Sequence, residues 1–229
     1  MTKKVSADSP PAPRPKRRVR LPASQRRNAI IDGAVQFFAA HGFSGQTRDL
    51  ANSLGVTQPL LYRYFPSKKD LIDAVYQRVF LSNWSLGWEA GLRERQRPLQ
   101  DRLIDFYSNY TTIIFNYEWI RIYLFSGLAG ESINRNYIDM LESRILVTIC
   151  KEFRFEQGVP ESPPITPQEL EIVWQAQGGL FYYGIRKFVY GIAPKESIAN
   201  MVELVVQNLT LAFSRALTEK KSGHRRSVK

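Results

Sequence analysis

The fold is decided by residues 46–71, which read QTRDLANSLGVTQPLLYRYFPSKKDL. Thr47 is a residue type that caps helices, and Gly55 tolerates the positive φ that ends one, so a short helix is predicted between them. Thr57 is placed to cap a second helix, and Pro66 ends it within about two turns. This punctuation predicts two short helices joined by a tight turn and followed at once by a third.

Helices this short are not stable alone in water, so they must pack against neighbours. The spacing of Leu50 with Leu54, and of Leu61 with Phe65, puts apolar side chains on the inner face of each helix. The outward side chains of the second helix are of the types that read base edges and hold phosphates in a helix-turn-helix. They are Gln58, Leu60, Tyr62, Arg63 and Tyr64, with Lys68 just beyond.

Residues 24–80 resemble the DNA-binding head of the TetR family of transcriptional regulators. The resemblance is carried, in order, by a helix that ends in His41-Gly42-Phe43, then by TRDLANSLGV and TQPLLYRYFPSKKDL. It implies a helix-turn-helix DNA-binding domain over residues 24–70. The residues that it implies for DNA binding are Thr47, Arg48, Thr57, Gln58, Pro59, Leu60, Tyr62, Tyr64 and Lys68.

The resemblance also implies separate roles for these side chains. Arg48 suits a guanine and Gln58 an adenine, since these pairings match the donors and acceptors of the major groove. Tyr62 and Lys68 are expected to hold phosphates, which position a protein on DNA without reading its sequence. Leu60 departs from the hydroxyl residue of the tetracycline repressor branch, so a thymine methyl is its expected partner.

The formal net charge of +11 is unevenly distributed. Residues 24–69 hold six basic and two acidic side chains, whereas residues 70–218 hold fourteen basic and seventeen acidic. The remaining excess lies in residues 1–23, with seven basic and one acidic, and in residues 219–229, with five and one. A basic head on a slightly acidic body is typical of a phosphate-neutralising module joined to a domain with another role.

The two ends of the chain are interpreted as tails. Residues 1–23 contain five prolines and no apolar periodicity, which predicts a disordered basic arm that either contacts DNA or only improves solubility. Residues 219–229 are interpreted as a second basic tail. No run of 18 apolar residues or secretory signal is present, and the single Cys150 permits no internal disulfide. A cytoplasmic protein without a membrane span is therefore expected.

An all-α fold is predicted because the apolar spacing from Ser67 onward is helical and strand-like alternation is weak. Residues 71–218 are expected to form a larger helical domain for effector binding and dimerisation. The strongest helix start in this domain is TPQE at residues 166–169. It combines a capping Thr, Pro at the first helical position and Glu three residues after the cap.

The resemblance implies two functional surfaces in the larger domain. One is a pocket for a small apolar or aromatic effector, although aromatic rings at helical spacing are more often part of the core. The pocket candidates are Phe106, Tyr110, Trp119, Tyr123, Trp174 and Phe181. The other is a homodimer interface built from two helices of each subunit, with packing inside one chain as the alternative. The interface candidates are Gly178, Met201, Val205, Leu209 and Ala212.

Catalysis is not indicated. The two histidines, His41 and His224, are isolated, and the chain lacks Cys/His metal spacing, a Gly-rich phosphate loop and a nucleophile elbow. No catalytic residue, metal or cofactor is therefore expected. The sequence indicates a ligand-responsive repressor that binds a pseudo-palindromic double-stranded operator as a homodimer and is released by a small molecule. A helical ligand-binding or scaffolding protein without operator binding is the alternative, and activation in place of repression stays open.

Overall fold

The computed structural model describes residues 22–226, and from residue 218 onward it describes the backbone alone. This part of the chain contains α-helices and no β-strand, which confirms the all-α prediction. The helices are α1 (Ala23–His41), α2 (Thr47–Ser53), α3 (Gln58–Tyr64), α4 (Lys68–Tyr76), α5 (Gly87–Leu92), α6 (Leu99–Ile114), α7 (Tyr117–Leu128), α8 (Ser132–Leu141), α9 (Val147–Glu156), α10 (Pro167–Phe188) and α11 (Ile198–Arg226). Residues 1–21 of the predicted arm and 227–229 of the predicted tail lie outside the described residues.

The helices of the head begin where their caps predicted, with one exception. Thr57 and Ser67 each accept a hydrogen bond from the backbone N–H three residues further on, as N-caps do. Thr47 was predicted to cap α2 in the same way, and this prediction is wrong. Thr47 is the first residue of α2, Gln46 occupies the N-cap position, and the Thr47 hydroxyl instead lies 3.4 Å from the hydroxyl of Tyr62 on α3.

Two glycines allow close packing around α1. Gly33 lies in the middle of this helix, where Ala would favour helix formation more. A Cβ atom at Gly33 would lie 2.0 Å from Cδ2 of Leu54, so glycine lets the end of α2 approach α1. Gly42, just after α1, has a φ of +73°, and its Cβ position would lie 3.1 Å from the ring of Phe125 on α7. The head is therefore packed closely against the body at this point.

The body follows the predicted order of helices but differs from the prediction in two respects. The short helix α5, over Gly87–Leu92, was not predicted, because its six residues include two glycines and show no clear apolar period. The apolar spacing from Ile133 to Phe155 predicts a single helix, but the structure has α8 and α9, joined by a π-helical turn at Glu142–Leu146. A second π-helical turn, at Gln77–Leu81, continues α4.

Buried ion pairs connect α9 to its neighbours. The Arg102 guanidinium, on α6, donates to the Glu152 carboxylate at 2.7 Å, and Arg95 donates to the same carboxylate through two nitrogens at 2.9 to 3.2 Å. Arg154, also on α9, binds the Glu169 carboxylate on α10 at 2.7 and 2.8 Å. Glu169 also closes the predicted capping box of α10, so this carboxylate orients two helices at once.

Candidate nucleic-acid interface

The turn between α1 and α2 forms one side of an open cleft on the outer face of the head. The cleft has a volume of about 430 Å³. Four of the residues predicted to bind DNA line it, namely Thr47, Arg48, Gln58 and Lys68. Sequence reasoning missed three others, Ser44, Gly45 and Gln46, because they belong to a turn with no periodic pattern. The tertiary structure thus brings together groups from α2, α3, α4 and the preceding turn.

The other predicted DNA contacts lie along α3. Thr57 and Pro59 are exposed at its start, and Leu60 is half-buried. Tyr62 has 38% of its surface exposed. Tyr64 is half-buried and packs partly against the hydrophobic core, so it presents less of its ring outward than the sequence pattern indicated.

Tyr62 links the two helices of the helix-turn-helix. Its hydroxyl forms a hydrogen bond with the Thr47 hydroxyl on α2. The hydrogen bond with Thr47, and to a lesser extent one with Gln58, lowers the pKa of the Tyr62 phenol. The ring therefore braces α3 against α2 while its edge stays exposed. A phenol held in this way can donate to a phosphate oxygen with little further loss of conformational freedom.

Lys68 closes the turn between α1 and α2. Its Nζ donates to the backbone oxygen of Phe43 and, at 3.2 Å, to that of Gly45. A lysine predicted only as a phosphate contact thus also organises the backbone that precedes α2. The ammonium group remains at the edge of the cleft, where a phosphate oxygen could become a further acceptor.

Lys68→Ala should weaken binding to specific and non-specific duplex DNA alike. Losing one phosphate contact should reduce the slope of log affinity against log salt by about one per head, because fewer counterions are released. Titration of a fluorescent duplex at several salt concentrations measures this slope. Lys69→Ala is the matched control, because Lys69 is exposed and paired with Asp73 at 2.7 Å. An unchanged slope for Lys68→Ala would assign this lysine to the turn alone.

The head is attached to the body mainly through α1. Arg121 on α7 donates from Nε to the backbone oxygen of Ala39 at 2.5 Å, near the end of α1. Nearby, the Gln36 amide donates to Glu118 of α7 at 2.9 Å. These contacts mean that a displacement of α7 acts directly on the helix that supports the helix-turn-helix.

The aromatic residues predicted to bind an effector largely form one interior cluster. Trp119 and Tyr123 of α7 stack with centroids 5.2 Å apart, and Phe181 of α10 packs edge-on against Tyr123 at 5.0 Å. Phe106 and Tyr110 stack on α6 with centroids 5.5 Å apart. Trp174, the sixth candidate, donates its indole N–H to Glu142 at 2.9 Å.

A polar group lies inside this aromatic interior. The Tyr110 hydroxyl accepts hydrogen bonds from the Tyr137 hydroxyl at 2.9 Å and from the Gln177 amide at 3.0 Å. The Gln177 side-chain oxygen and the Tyr107 hydroxyl are buried without a hydrogen-bond partner in the described part of the chain. Burial raises the pKa of Tyr123 to about 12, so its hydroxyl is neutral at physiological pH. Sequence reasoning missed Gln177 and Tyr137, because one polar residue on an apolar stripe carries no local signal.

The predicted dimer residues lie between α10 and α11. Met201, Val205, Leu209 and Ala212 line a shallow groove of about 230 Å³, and Gly178 is exposed on α10. Val205 and Leu209 are already buried within one chain, so they serve the intrachain core as well. Sequence reasoning missed the more exposed apolar residues of α11, which are Leu204 at 49% and Leu211 at 69% exposure.

The part of the chain that the structure describes contains neither a membrane-spanning helix nor a metal site. No helix there combines the length and the apolar character needed to cross a membrane. The described side chains include no group of three His, Cys, Asp or Glu that could hold a metal ion. Cys150 is buried, and burial raises the pKa of its thiol to about 12, which leaves it protonated and unreactive.

A helix-turn-helix with exposed polar and basic side chains, mounted on a larger helical body, defines the class of DNA-binding transcriptional regulators. Residues 30–75 match the family model described as bacterial regulatory proteins, tetR family. This stretch of the chain is therefore similar to the DNA-binding domain of that family.

Curated relatives match this chain over part of its length. The HTH-type regulator Rv0472c of Mycobacterium tuberculosis, described as uncharacterized, is 38% identical over 63 residues, which are 28% of this chain and 27% of that protein. The activator FasR of Mycolicibacterium smegmatis is 33% identical over 38% of this chain and 42% of its own length. The class D tetracycline repressor of Escherichia coli is 29% identical over 37% and 39%, respectively. The chain thus spans less than half the length of these relatives.

Solved structures resemble the whole fold. A TetR-family regulator from Streptomyces coelicolor has a TM-score of 0.61 at 19% identity and covers 91% of this chain and 90% of its own. A TetR-like regulator from Rhodococcus sp. RHA1 has a TM-score of 0.55 at 18% identity, covering 87% and 99%. These similarities extend the agreement in fold from the head to the body.

Proposed function

We propose that this protein is a ligand-responsive repressor that binds a pseudo-palindromic double-stranded operator as a homodimer in the cytoplasm. The cleft that combines Arg48, Gln58 and Lys68 on the outer face of the helix-turn-helix is the observation that carries this proposal. Guanidinium and amide groups suit base edges, and an ammonium group suits phosphate. The curated relatives include one protein named a repressor and one named an activator. Activation of transcription is therefore the alternative to repression.

In this proposal the head, over residues 24–70, binds DNA. The body, over residues 71–218, binds the effector and forms the dimer. A homodimer supplies two heads, whose recognition helices must be about 34 to 36 Å apart, or a multiple of that, to enter successive major grooves. The exposed apolar residues of α11 and the groove beside them support pairing of α10 and α11 with the same helices of a second copy.

The effector is proposed to bind in the aromatic interior of the body. The unpartnered Gln177 oxygen and Tyr107 hydroxyl support this site, because buried polar groups are normally satisfied and a ligand could supply the missing partners. Neutral phenols and apolar rings favour an uncharged aromatic molecule over an ion.

Release of DNA is proposed to follow from a change in the separation of the two heads. One face of α7 carries Trp119 and Tyr123 into the aromatic cluster, and Arg121 on the same helix holds the end of α1. The body also contacts the head through α4 and its π-helical continuation, where Arg78 pairs with Asp32 at 2.5 Å. An effector that prefers one arrangement of these helices would shift the population away from the spacing that fits the operator.

Gln58→Ala should cost about 1 to 3 kcal/mol of binding free energy on the cognate operator and relax the preference at one base pair in each half-site. The expected cause is loss of a bidentate contact with adenine. Selection from a random duplex library, followed by titration of the selected site, measures both effects. Gln100→Ala, at an exposed position on α6, is the control. Equal weakening on every sequence would remove the base-reading role from Gln58.

The alternative of a helical ligand-binding or scaffolding protein predicts a different result. Such a protein would bind no duplex selectively, whereas a regulator should bind a palindromic site with strong salt dependence. The library selection described above separates the two, because only the regulator enriches a palindrome. Chemical turnover of a bound compound would instead indicate an enzyme.

A further inference from the structure

A cleft beside the start of α7 belongs to neither the DNA-binding surface nor the aromatic interior. It lies between α6, α10 and α11 and has a volume of about 380 Å³. Phe115, Ile198 and Val202 provide apolar walls. Pockets for small molecules in proteins occupy about 300 to 1,000 Å³, so this cleft is large enough for a compact ligand.

One wall of the cleft is formed by two stacked aromatic rings. The rings of Phe115 and Tyr183 stack with centroids 5.5 Å apart and an interplanar angle of 12°. Most hydroxyl groups that line the cleft already donate hydrogen bonds to backbone oxygens of the protein. Tyr183 donates to the backbone oxygen of Glu196 at 3.0 Å, and Thr111 and Thr112 donate to backbone oxygens one turn earlier on α6. The cleft therefore offers an aromatic, apolar surface and few free neutral donors.

A single charged side chain, Lys187, completes the lining. It is exposed and forms no ion pair within residues 22–217. No carboxylate lines the described cleft. The Lys187 ammonium lies 5.2 Å from the ring centroid of Phe188. One ammonium group beside an aromatic wall is complementary to one negative charge on an aromatic molecule.

We propose that this cleft binds a small monocarboxylate with a planar apolar body, which packs against Phe115 and Tyr183 and pairs with Lys187. The site goes beyond the proposed effector site, because it lies on a different face of α6 and takes an anion. Its occupant would contact the start of α7. Phe115 directly precedes Asn116, which caps α7 by accepting from the backbone N–H of Trp119 at 2.8 Å.

The position of the cleft indicates a second route to the head. Glu118, three residues after Phe115, accepts a hydrogen bond from Gln36 of α1. A ligand that displaces the Phe115 ring would therefore act on the same helix that supports the helix-turn-helix. Binding itself does not require that the protein bind an operator, so the two proposals can fail separately.

Titration of the full-length protein with 2-naphthoate and with 2-naphthamide tests the proposal. The two probes have the same ring system and nearly the same shape, but only the first carries a charge. We expect 2-naphthoate to bind about three- to fivefold more tightly, as for an exposed ion pair. This advantage should shrink as salt rises and screens the pair. Isothermal titration calorimetry at two salt concentrations measures it.

Two substitutions, with one control, test separately the contribution of the Lys187 charge to binding and the contribution of the space in the cleft. Lys187→Gln should bring 2-naphthoate down to the affinity of 2-naphthamide, whereas Lys151→Gln, at an exposed position on α9, should leave the difference intact. Ala199→Trp, on the exposed rim of the cleft, should block both probes while circular dichroism and DNA binding stay as in the wild type. Equal affinity for the two probes in the wild type, or unchanged binding by Ala199→Trp, would overturn the proposal.

Discussion

Glu169→Gln should lower the free energy of unfolding by about 3 to 5 kcal/mol, the range for removing one partner of a buried ion pair. Glu169 is 1% exposed and holds both the Arg154 guanidinium and the first turn of α10. The substitution leaves the buried arginine charge without its counter-ion. Urea unfolding followed by circular dichroism measures the loss. Glu171→Gln, at an exposed position on the same helix, should change stability by less than about 0.5 kcal/mol.

The same carboxylate makes stability depend on acid. Burial alone would raise the pKa of Glu169, but hydrogen bonds from Arg154 and Thr166 outweigh burial and lower that pKa to about 2. The pKa of a glutamate in an unfolded chain is about 4.3. The stabilisation of the fold by ionised Glu169 is therefore complete above that pH and is lost as the pH falls toward 2. Wild-type stability should therefore decline over this window more steeply than that of Glu169→Gln. Parallel pH profiles of the two proteins would contradict this assignment.

The double substitution Leu204→Glu with Leu211→Glu should convert the proposed dimer into a monomer and weaken operator binding about 100-fold or more. The two leucines are seven residues apart on α11 and therefore lie on one face. Carboxylates there would be buried against a second copy, and a monomer would lose the second half-site. Sedimentation velocity and operator titration measure the two effects.

Leu128→Glu is the control for this experiment, because Leu128 is 85% exposed at the end of α7 and is not one of the proposed interface residues. It should leave both the association state and the operator affinity unchanged. A double variant that remains a dimer would place the subunit interface on another surface of the protein. A double variant that becomes monomeric yet binds the operator as tightly as the wild type would remove the need for two heads.

The sequence was most informative where a structure depends on neighbouring residues. The caps at Thr57, Ser67 and Thr166 were confirmed, because a cap is made by a side chain and a backbone N–H three residues away. The apolar spacing of residues 98–115, 119–128, 166–189 and 194–217 also predicts four helices. The helices α6, α7, α10 and α11 lie there within a few residues, except that α11 begins later and ends further along the chain. The all-α class follows from these local patterns.

Prediction from sequence was weaker wherever a side chain had a choice of distant partners. The Thr47 hydroxyl forms a hydrogen bond with Tyr62 and does not cap α2. The Lys68 ammonium donates to the backbone oxygens of Phe43 and Gly45, which precede α2. The spacing of these residues contains no information about such contacts. Which aromatic residues surround Gln177 was undecidable for the same reason.

The helical class, the helix-turn-helix and the polar side chains on its outer face could be predicted from the sequence, because helix periods, caps and breakers act over a few residues. Only the tertiary structure decided which of those side chains share a cleft, how α7 holds α1, and where the buried charges are paired. Those features depend on helices distant in the chain coming within a few ångströms of each other. Their positions are set by the packing of the whole core, which no local pattern encodes.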